Sequence, residues 1–217
     1  MNVLETHVLE LIGENVDSPD VFTDDDEGLA PIRDALNDAF EEITLLTGSY
    51  KESYQVLLVE DQAFYRLSLS RGSIAWITDT WLVGNKRRLT QTDVFTLSTI
   101  NPRWLNNRGT PEYYIPIGHD ILGVWPVPGG NDDILELTMV VCQQRQTTSN
   151  DIIKLRETFK WAAVDYAVGE FYASRGDAKE SMMWHQKYRE ALGVFGIYPK
   201  AQDRNFQVGK RDNVATP

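Results

Sequence analysis

The sequence predicts an α+β fold in which the two ends of the chain form a helical bundle and the middle forms an antiparallel β domain. Helical periodicity occupies residues 1–49 and 150–195, whereas short β-rich segments fill residues 50–149. Residues 196–217 show no periodicity. We therefore expect a bundle of N- and C-terminal helices, an inserted barrel or sandwich, and an extended C-terminal arm.

Two helices are predicted before the β-rich region. Apolar residues three or four apart indicate one helix over residues 3–14 and another from Leu29 to Thr47. In the second helix, Pro31 suits the first turn and Gly48 marks the end. The acidic run at 24–27 is interpreted as a solvated turn before that helix, because it lacks the alternating oxygen ligands and central glycine of a calcium loop.

Six segments of the middle region are rich in β-branched and aromatic residues and are separated by turn residues. They read YQVLLV, AFYRLSL, IAWITDTWLV, EYYIPI, ILGVWPV and ILELTMVV. Residues 93–100 break this pattern and predict a short helix with Val94, Leu97 and Ile100 on one face, ended by Asn101-Pro102. The segments predict an antiparallel sheet of several short strands.

A helical hairpin is predicted after the β-rich region. Its first helix, residues 155–173, is apolar on two nearly opposite sides, so we expect a neighbouring subunit to cover one of them. Gly176 is a predicted C-terminal cap, and Asp177 with Glu180 is a predicted capping box for the second helix. The side chains that we expect at the subunit interface are Trp161, Val164, Val168, Tyr172, Trp184 and Tyr188.

Charge is distributed unevenly along the 217 residues. The formal net charge is −11, and residues 1–60 alone carry 15 acidic and 2 basic side chains. This balance argues against a protein that reads duplex DNA and against a basic membrane-surface helix. No apolar run approaches the roughly 20 residues that span a bilayer, and the N-terminus lacks the features of a secretion signal. A single cysteine, Cys142, excludes an intrachain disulfide and fits a reducing compartment.

No motif for catalysis, cofactor binding or metal binding is found. His7, His119 and His185 are far apart in sequence, and Cys142 follows two valines in a predicted strand, which indicates core packing. We therefore predict no catalytic residue, no cofactor and no metal. Basic residues near aromatic ones leave DNA contact as a minor alternative, although the 86–88 run is most simply a charged hairpin edge. Those residues are Arg66, Arg71, Lys86, Arg87, Arg88 and Arg103.

Several segments in order resemble the head-to-tail adaptor (connector) proteins of tailed bacteriophages. The second helix carries LNDAFEEI, and NPRWLNNRGTPEYYI matches a family segment of tryptophan, glycine-x-proline and an aromatic strand. ILGVWPVPGGNDDILELTMV matches an aromatic-Pro-x-Pro hairpin, and residues 151–155 lead into paired C-terminal helices. The resemblance covers roughly residues 29–195.

The resemblance implies a structural virion protein of the neck, assembled in the host cytoplasm. Such adaptors usually form twelve-membered rings that dock on the portal protein, extend the channel through which DNA passes without sequence-specific binding, and present an attachment surface to a tail or nozzle protein. Residues 196–217 would be the portal-docking arm, and its expected contacts are Tyr198, Arg204, Phe206, Val208, Lys210 and Arg211.

Other interpretations of the chain stay open at this point. The arm is alternatively a disordered end. The protein is alternatively a head-closure or tail-completion ring, or a β-domain module that binds or hydrolyses glycans.

Overall fold

The computed structural model describes residues 3–14, 28–69, 72–130, 133–148 and 154–194. In these ranges the chain has the predicted α+β composition. The expected C-terminal arm and the acidic run at 24–27 lie outside the described residues.

The described chain contains five α-helices. They are α1 (Val3–Ile12), α2 (Ala30–Thr47), α3 (Val94–Ile100), α4 (Glu157–Ser174) and α5 (Ala178–Val194). Helices α1, α2, α4 and α5 share one cluster of buried apolar side chains, with α4 in contact with the other three. Helix α3 lies apart from this cluster, on the β-rich part.

Both apolar sides of α4 have buried residues that are covered by the chain itself. Phe159 and Ala163 on one side, and Val164 and Val168 on the other, are all buried in the cluster that α1, α2 and α5 complete. Part of the cover that the sequence analysis expected from a neighbouring subunit is therefore present within the chain, whereas Trp161, on the same side of α4 as Val164, stays exposed. Periodicity reveals an apolar side of a helix but not which element lies against it.

Two predicted helix ends are confirmed by their geometry. Gly48 adopts a left-handed conformation (φ 58°) and its N–H donates to the carbonyl of Thr44 at 2.9 Å. Between α4 and α5, Gly176 is also left-handed (φ 78°). Asp177 accepts a hydrogen bond from the Glu180 backbone at 3.2 Å, which is one half of the predicted capping box.

Ten strands, several of them only two residues long, make up the β-rich part of the described chain. They are β1 (Lys51–Leu57), β2 (Phe64–Arg66), β3 (Ser73–Leu82), β4 (Arg87–Arg88), β5 (Thr90–Gln91), β6 (Arg108–Gly109), β7 (Tyr113–Ile117), β8 (Ile121–Trp125), β9 (Val127–Pro128) and β10 (Ile134–Cys142). All six predicted segments contain a strand.

The strands form two open four-stranded sheets and one short pair. The sheet orders are β1-β10-β3-β4 and β2-β8-β7-β5, with β6 beside β9. Buried side chains from both larger sheets form a single cluster, as in a sandwich. The alternative of a closed barrel is wrong. The pairs β5–β7 and β6–β9 are parallel, unlike the prediction. Between β5 and β7 the chain passes through α3, and a connection of this length lets it return in the same direction.

Both ends of the β-rich segment are fixed next to α2. At its start, the carbonyl of Tyr50 accepts from Val141 at 3.1 Å. At its end, the buried side-chain amide of Asn37 makes two hydrogen bonds to the backbone of Gln146. Its Oδ1 accepts from the N–H at 2.8 Å and its Nδ2 donates to the C=O at 3.0 Å. Arg33 donates to the carbonyl of Thr147 at 2.7 Å. These contacts attach the returning strand to the helical bundle.

Candidate assembly surfaces

The first candidate surface lies on the helical bundle and is built around two tryptophans. Trp161 of α4 is 45% exposed and packs edge-on against His7 of α1, with ring centroids 5.1 Å apart. On α5, the Lys187 ammonium lies 3.4 Å from the centre of the Trp184 ring. A large aromatic ring with one face open is the kind of side chain that anchors protein interfaces. We call the surface formed by these two tryptophans, together with Met182 and Met183 of α5, the bundle surface.

Two methionines of α5 extend the apolar character of the bundle surface. Met182 is 73% exposed and Met183 is partly exposed. Exposed methionine side chains adapt to irregular partner surfaces, because three rotatable bonds let the thioether change its shape.

A partly buried carboxylate interrupts this surface. Asp165 lies one helical turn after Trp161, and burial raises its pKa even though the positive charges of Lys187 and His7 act to lower it. The ionised carboxylate is therefore less well solvated than an ordinary surface aspartate. It gives the surface one titratable acid between two aromatic anchors.

The predicted subunit-interface residues divide into two groups. Val164, Val168 and Tyr188 are buried within the chain. Trp161 is exposed, and Tyr172 and Trp184 are partly exposed. Only the second group is available to a partner without a change in the fold, and an interface through it stays a prediction. The six arm residues expected to contact the portal lie outside the described residues.

The second candidate surface is formed by α3, on the other part of the molecule. Asp93 caps this helix by accepting from the backbone (2.8 Å) and hydroxyl (2.7 Å) of Thr96, and these bonds lower the pKa of Asp93. Only Leu97 of α3 is buried, against Trp104 and Ile115.

The remaining apolar side chains of α3 face solvent. Phe95 is 81% exposed and Ile100 is 71% exposed. We call these two residues, with the partly exposed Val94 and Leu105, the α3 surface. Exposed apolar side chains grouped on one short helix are a feature of surfaces that bind partners.

Sequence reasoning predicted the helix but not the α3 surface. The spacing of Val94, Leu97 and Ile100 predicted one buried face, yet the structure buries Leu97 alone. The one signal available was Phe95, an aromatic residue that lies off the predicted stripe.

Trp104 and Trp125, the tryptophans of the two family segments, pack together below α3. Trp104 is buried, and its carbonyl accepts a hydrogen bond from the Trp125 indole at 3.1 Å. This contact holds the 3₁₀ turn Trp104–Asn106 on the outer side of β7 and β8, below α3.

The basic residues considered for DNA contact are largely engaged with acids. Arg66 pairs with Asp120. Arg87 and Arg88, which form the predicted charged hairpin edge as β4, pair with Glu112 and Asp79. Ion-paired guanidinium groups are less available to phosphates, and Arg71 lies outside the described residues.

The described residues provide no cluster suited to a metal ion. No group of three or more His, Cys, Asp or Glu side chains in the described ranges converges on one point. Cys142 is buried as predicted, and its burial, together with the charge of Glu41, raises the pKa of the thiol. None of the described helices combines the length and the apolar character of a membrane span.

Comparison with known proteins agrees with the resemblance seen in the sequence. The family model for the SU10 adaptor protein matches residues 4–213, which is nearly the whole chain. No curated protein matches the chain. The match extends through both the helical bundle and the β-rich part that carry the two surfaces. This chain therefore belongs to the SU10 adaptor protein family and is a head-to-tail adaptor of a tailed bacteriophage.

Proposed function

We propose that this adaptor forms a ring in the virion neck that docks on the portal protein, extends the DNA channel and provides the attachment surface for the tail. The observation that carries the proposal is the presence of two separate apolar surfaces. The bundle surface belongs to the helical core and the α3 surface belongs to a small cluster on the β-rich part. A protein that joins two partners needs two such surfaces.

The bundle side is assigned to the portal and to neighbouring copies of the adaptor. Residues 196–217 follow α5 closely in the sequence, and we assign them to the partner that the bundle contacts. The basic and aromatic residues of this arm suit a partner that offers acids and apolar pockets. Trp161, Tyr172 and Trp184 supply the remaining helix contacts in the ring.

The α3 surface is assigned to the tail or nozzle protein. Phe95 and Ile100 project from a helix that Asp93 and Leu97 hold in place, so the surface is presented in one orientation. A preorganised apolar surface loses little entropy when a partner covers it.

The acidic surplus of the chain is assigned in part to the wall of the channel. Asp34, Asp38 and Glu41 lie exposed along α2, with Arg145 bound to all three. Like charge keeps DNA from adhering to a wall that it must slide past. A ring structure whose lumen is lined mainly by Lys and Arg would refute this assignment. The proposed role requires no chemical reaction.

Mixing experiments with purified portal test the proposal. We expect the full chain to form a complex whose mass, measured by native mass spectrometry, corresponds to a portal with a ring of adaptors. A chain truncated after residue 195 is expected to lose most of this binding. If the truncated chain binds the portal as the full chain does, the docking arm is wrong.

A second variant tests the assignment of the two surfaces. Phe95→Ser with Ile100→Ser removes the two most exposed apolar side chains of the α3 surface. It is expected to leave portal binding unchanged while abolishing recruitment of the tail protein. Thr99→Ala changes another exposed position of α3 and serves as the control. Loss of portal binding in the double variant, with the fold intact by circular dichroism, would contradict the assignment.

A further inference from the structure

Among the described residues, no strand pairs with the outer side of β1, which is one edge of the β1-β10-β3-β4 sheet. Strand β1 pairs with β10 over seven residues without a register shift. Tyr50 and Leu58 bond to β10, so the even-numbered residues of β1 face β10 and the odd-numbered ones face away. The backbone groups of Lys51, Ser53, Gln55 and Leu57 therefore point to the open edge. The strand contains no proline, glycine or bulge that would blunt the edge.

The opposite side of the sandwich is also incomplete. Strand β4 covers β3 at Trp81 and Leu82, and the amide of Leu89, just after β4, bonds the carbonyl of Thr80. Strand β5 covers β7 only at Tyr113 and Tyr114. The uncovered parts of β3 and β7 leave a slot of about 190 Å³ between the sheets. Its apolar lining includes Leu67, Ile74, Ile77, Pro116 and Ile121.

The two sides suit each other in direction. Strands β1 and β3 both run antiparallel to β10 and are therefore parallel to each other. A second copy placed with its β1 beside the free part of β3 would continue the sheet and cover the slot. The contact uses a different surface on each copy, and such a heterologous contact repeats around a closed ring.

The two sides also suit each other in charge. Because the strands are parallel, the turn that follows β1 in one copy would lie near the hairpin that follows β3 in the next. That turn carries Glu60 and Asp61, and Asp61 pairs with Arg108 of its own chain. The hairpin carries Lys86 beside Arg87 and Arg88, which pair with Glu112 and Asp79 of their own chain. Lys86 makes no ion pair with any residue that the structure describes. Opposite charges at this end favour the parallel alignment over the reverse one.

We propose that the β-rich parts of neighbouring copies join by strand addition, with β1 of one copy pairing with β3 of the next. The occupant of the open β3 edge is thus a second copy of this chain. The inference rests on the proposed function for the expectation that copies form a ring, and it identifies the strands that close it.

Cysteine cross-linking tests which strands meet. Copies carrying Ser53→Cys are mixed with copies carrying Ala75→Cys, free and with purified portal, and treated with a short bismaleimide; Cys142 is buried, and the unmodified chain serves as the blank. We expect cross-linked dimers in the mixture and none above the blank from either variant alone. Absence of the mixed product in both samples overturns the proposal. So does a product from Ser53→Cys alone, which would show β1 pairing with itself.

A proline substitution tests the role of the edge backbone. Gln55→Pro removes an N–H that points away from β10, so the fold keeps its own hydrogen bonds while strand addition loses a donor. We expect the mass of the assembly to fall towards that of single chains, whereas Gln55→Thr, which keeps the N–H, assembles normally. Normal assembly of the proline variant contradicts the proposal.

A charge exchange covers the case in which the proline variant does not fold. Lys86→Glu is expected to weaken assembly at least tenfold and Glu60→Lys in the same chain to restore it. Failure of the second change to restore assembly counts against the parallel alignment. Portal capture is measured on the same samples. Capture without 53–75 cross-links refutes the strand pairing alone, and cross-links without capture refute the docking function alone.

Discussion

Asp93 shows how a single carboxylate determines the presentation of the α3 surface. Both of its oxygens accept hydrogen bonds from Thr96, and these bonds hold its pKa below the ordinary value. The ionised Asp93 therefore stabilises the folded state fully above the ordinary aspartate pKa. This stabilisation is lost as the pH falls through the lowered pKa that Asp93 has in the folded state.

We predict that acidification loosens α3 before the rest of the molecule. Hydrogen exchange at the Thr96 amide should accelerate as the pH falls through the lowered pKa, after correction for intrinsic exchange. In Asp93→Ala the acceleration should already be present at neutral pH and show no such step. An identical step in Asp93→Ala would exclude Asp93 as its cause.

Asp165 has the opposite shift and the opposite consequence. Burial raises its pKa, so the folded state disfavours the charge, and stability falls as the pH rises from the ordinary aspartate pKa through the raised one. We predict that Asp165→Asn raises Tm at neutral pH by a few degrees and that the gain disappears at pH values below the ordinary pKa.

An exposed carboxylate of the neighbouring helix provides the control for Asp165. Glu190→Gln on α5 is expected to change stability by less than about 0.5 kcal/mol, because surface substitutions of this kind have small effects. A drop in Tm for Asp165→Asn at neutral pH would show that the electrostatic attraction of the Asp165 carboxylate to Lys187 and His7 outweighs the cost of its burial.

At the scale of elements, the contact between α4 and α5 depends on a missing side chain. A Cβ on Gly169 would lie 3.0 Å from Nε2 and 3.1 Å from Cε1 of His185. His185 is confined there, with its ring edge-on to Tyr166 and its Nε2 3.3 Å from the Glu170 carboxylate. Glycine at this point allows the two helices to approach closely.

We predict opposite effects of Gly169→Ala in two backgrounds. With His185 present, overpacking is expected to destabilise the protein by about 1–3 kcal/mol. With His185→Ala, the space is free, and the better helix propensity of alanine is expected to stabilise it by about 1 kcal/mol. Urea denaturation of the four proteins measures the coupling; equal effects in both backgrounds would show that the imidazole is not the obstacle.

Sequence patterns predicted most of the elements but not how they are covered. Gly48, Asp177 and the six β-rich segments were informative because local backbone rules act within a few residues. The cover of Val164 and Val168 depends on α1 and α2, which are more than a hundred residues away. The two-residue strands β5 and β9 are too short to show an alternating pattern of apolar residues, so the sequence does not indicate their parallel pairing. Of the candidate surfaces, Trp161 was predicted and Phe95 was not.

At the scale of the whole molecule, a buried ion pair ties the helices to the β-rich part. Arg33 Nε lies 2.9 Å from Glu5 of α1, and the same guanidinium bonds the carbonyl of Thr147. Both side chains are almost fully buried. Removing one partner leaves the other charge without its counterion in a poorly solvated site.

We predict that Arg33→Met destabilises the protein by about 3–5 kcal/mol and that adding Glu5→Leu recovers part of the loss. Arg145→Met removes exposed ion pairs to the same helix, α2, and is expected to cost at most about 1 kcal/mol. Denaturation curves compare the three variants. A smaller loss for Arg33→Met than for Arg145→Met would contradict the assignment of Arg33 as the tie.

The adjacency of Tyr50 and Val141, one backbone hydrogen bond apart, has a consequence for how such a protein diversifies. A segment that leaves and re-enters its host at neighbouring points can be shortened, lengthened or exchanged while the host keeps its shape. The helical bundle can thus keep the surface that binds one partner, while recombination replaces the β-rich part with one that binds a different second partner.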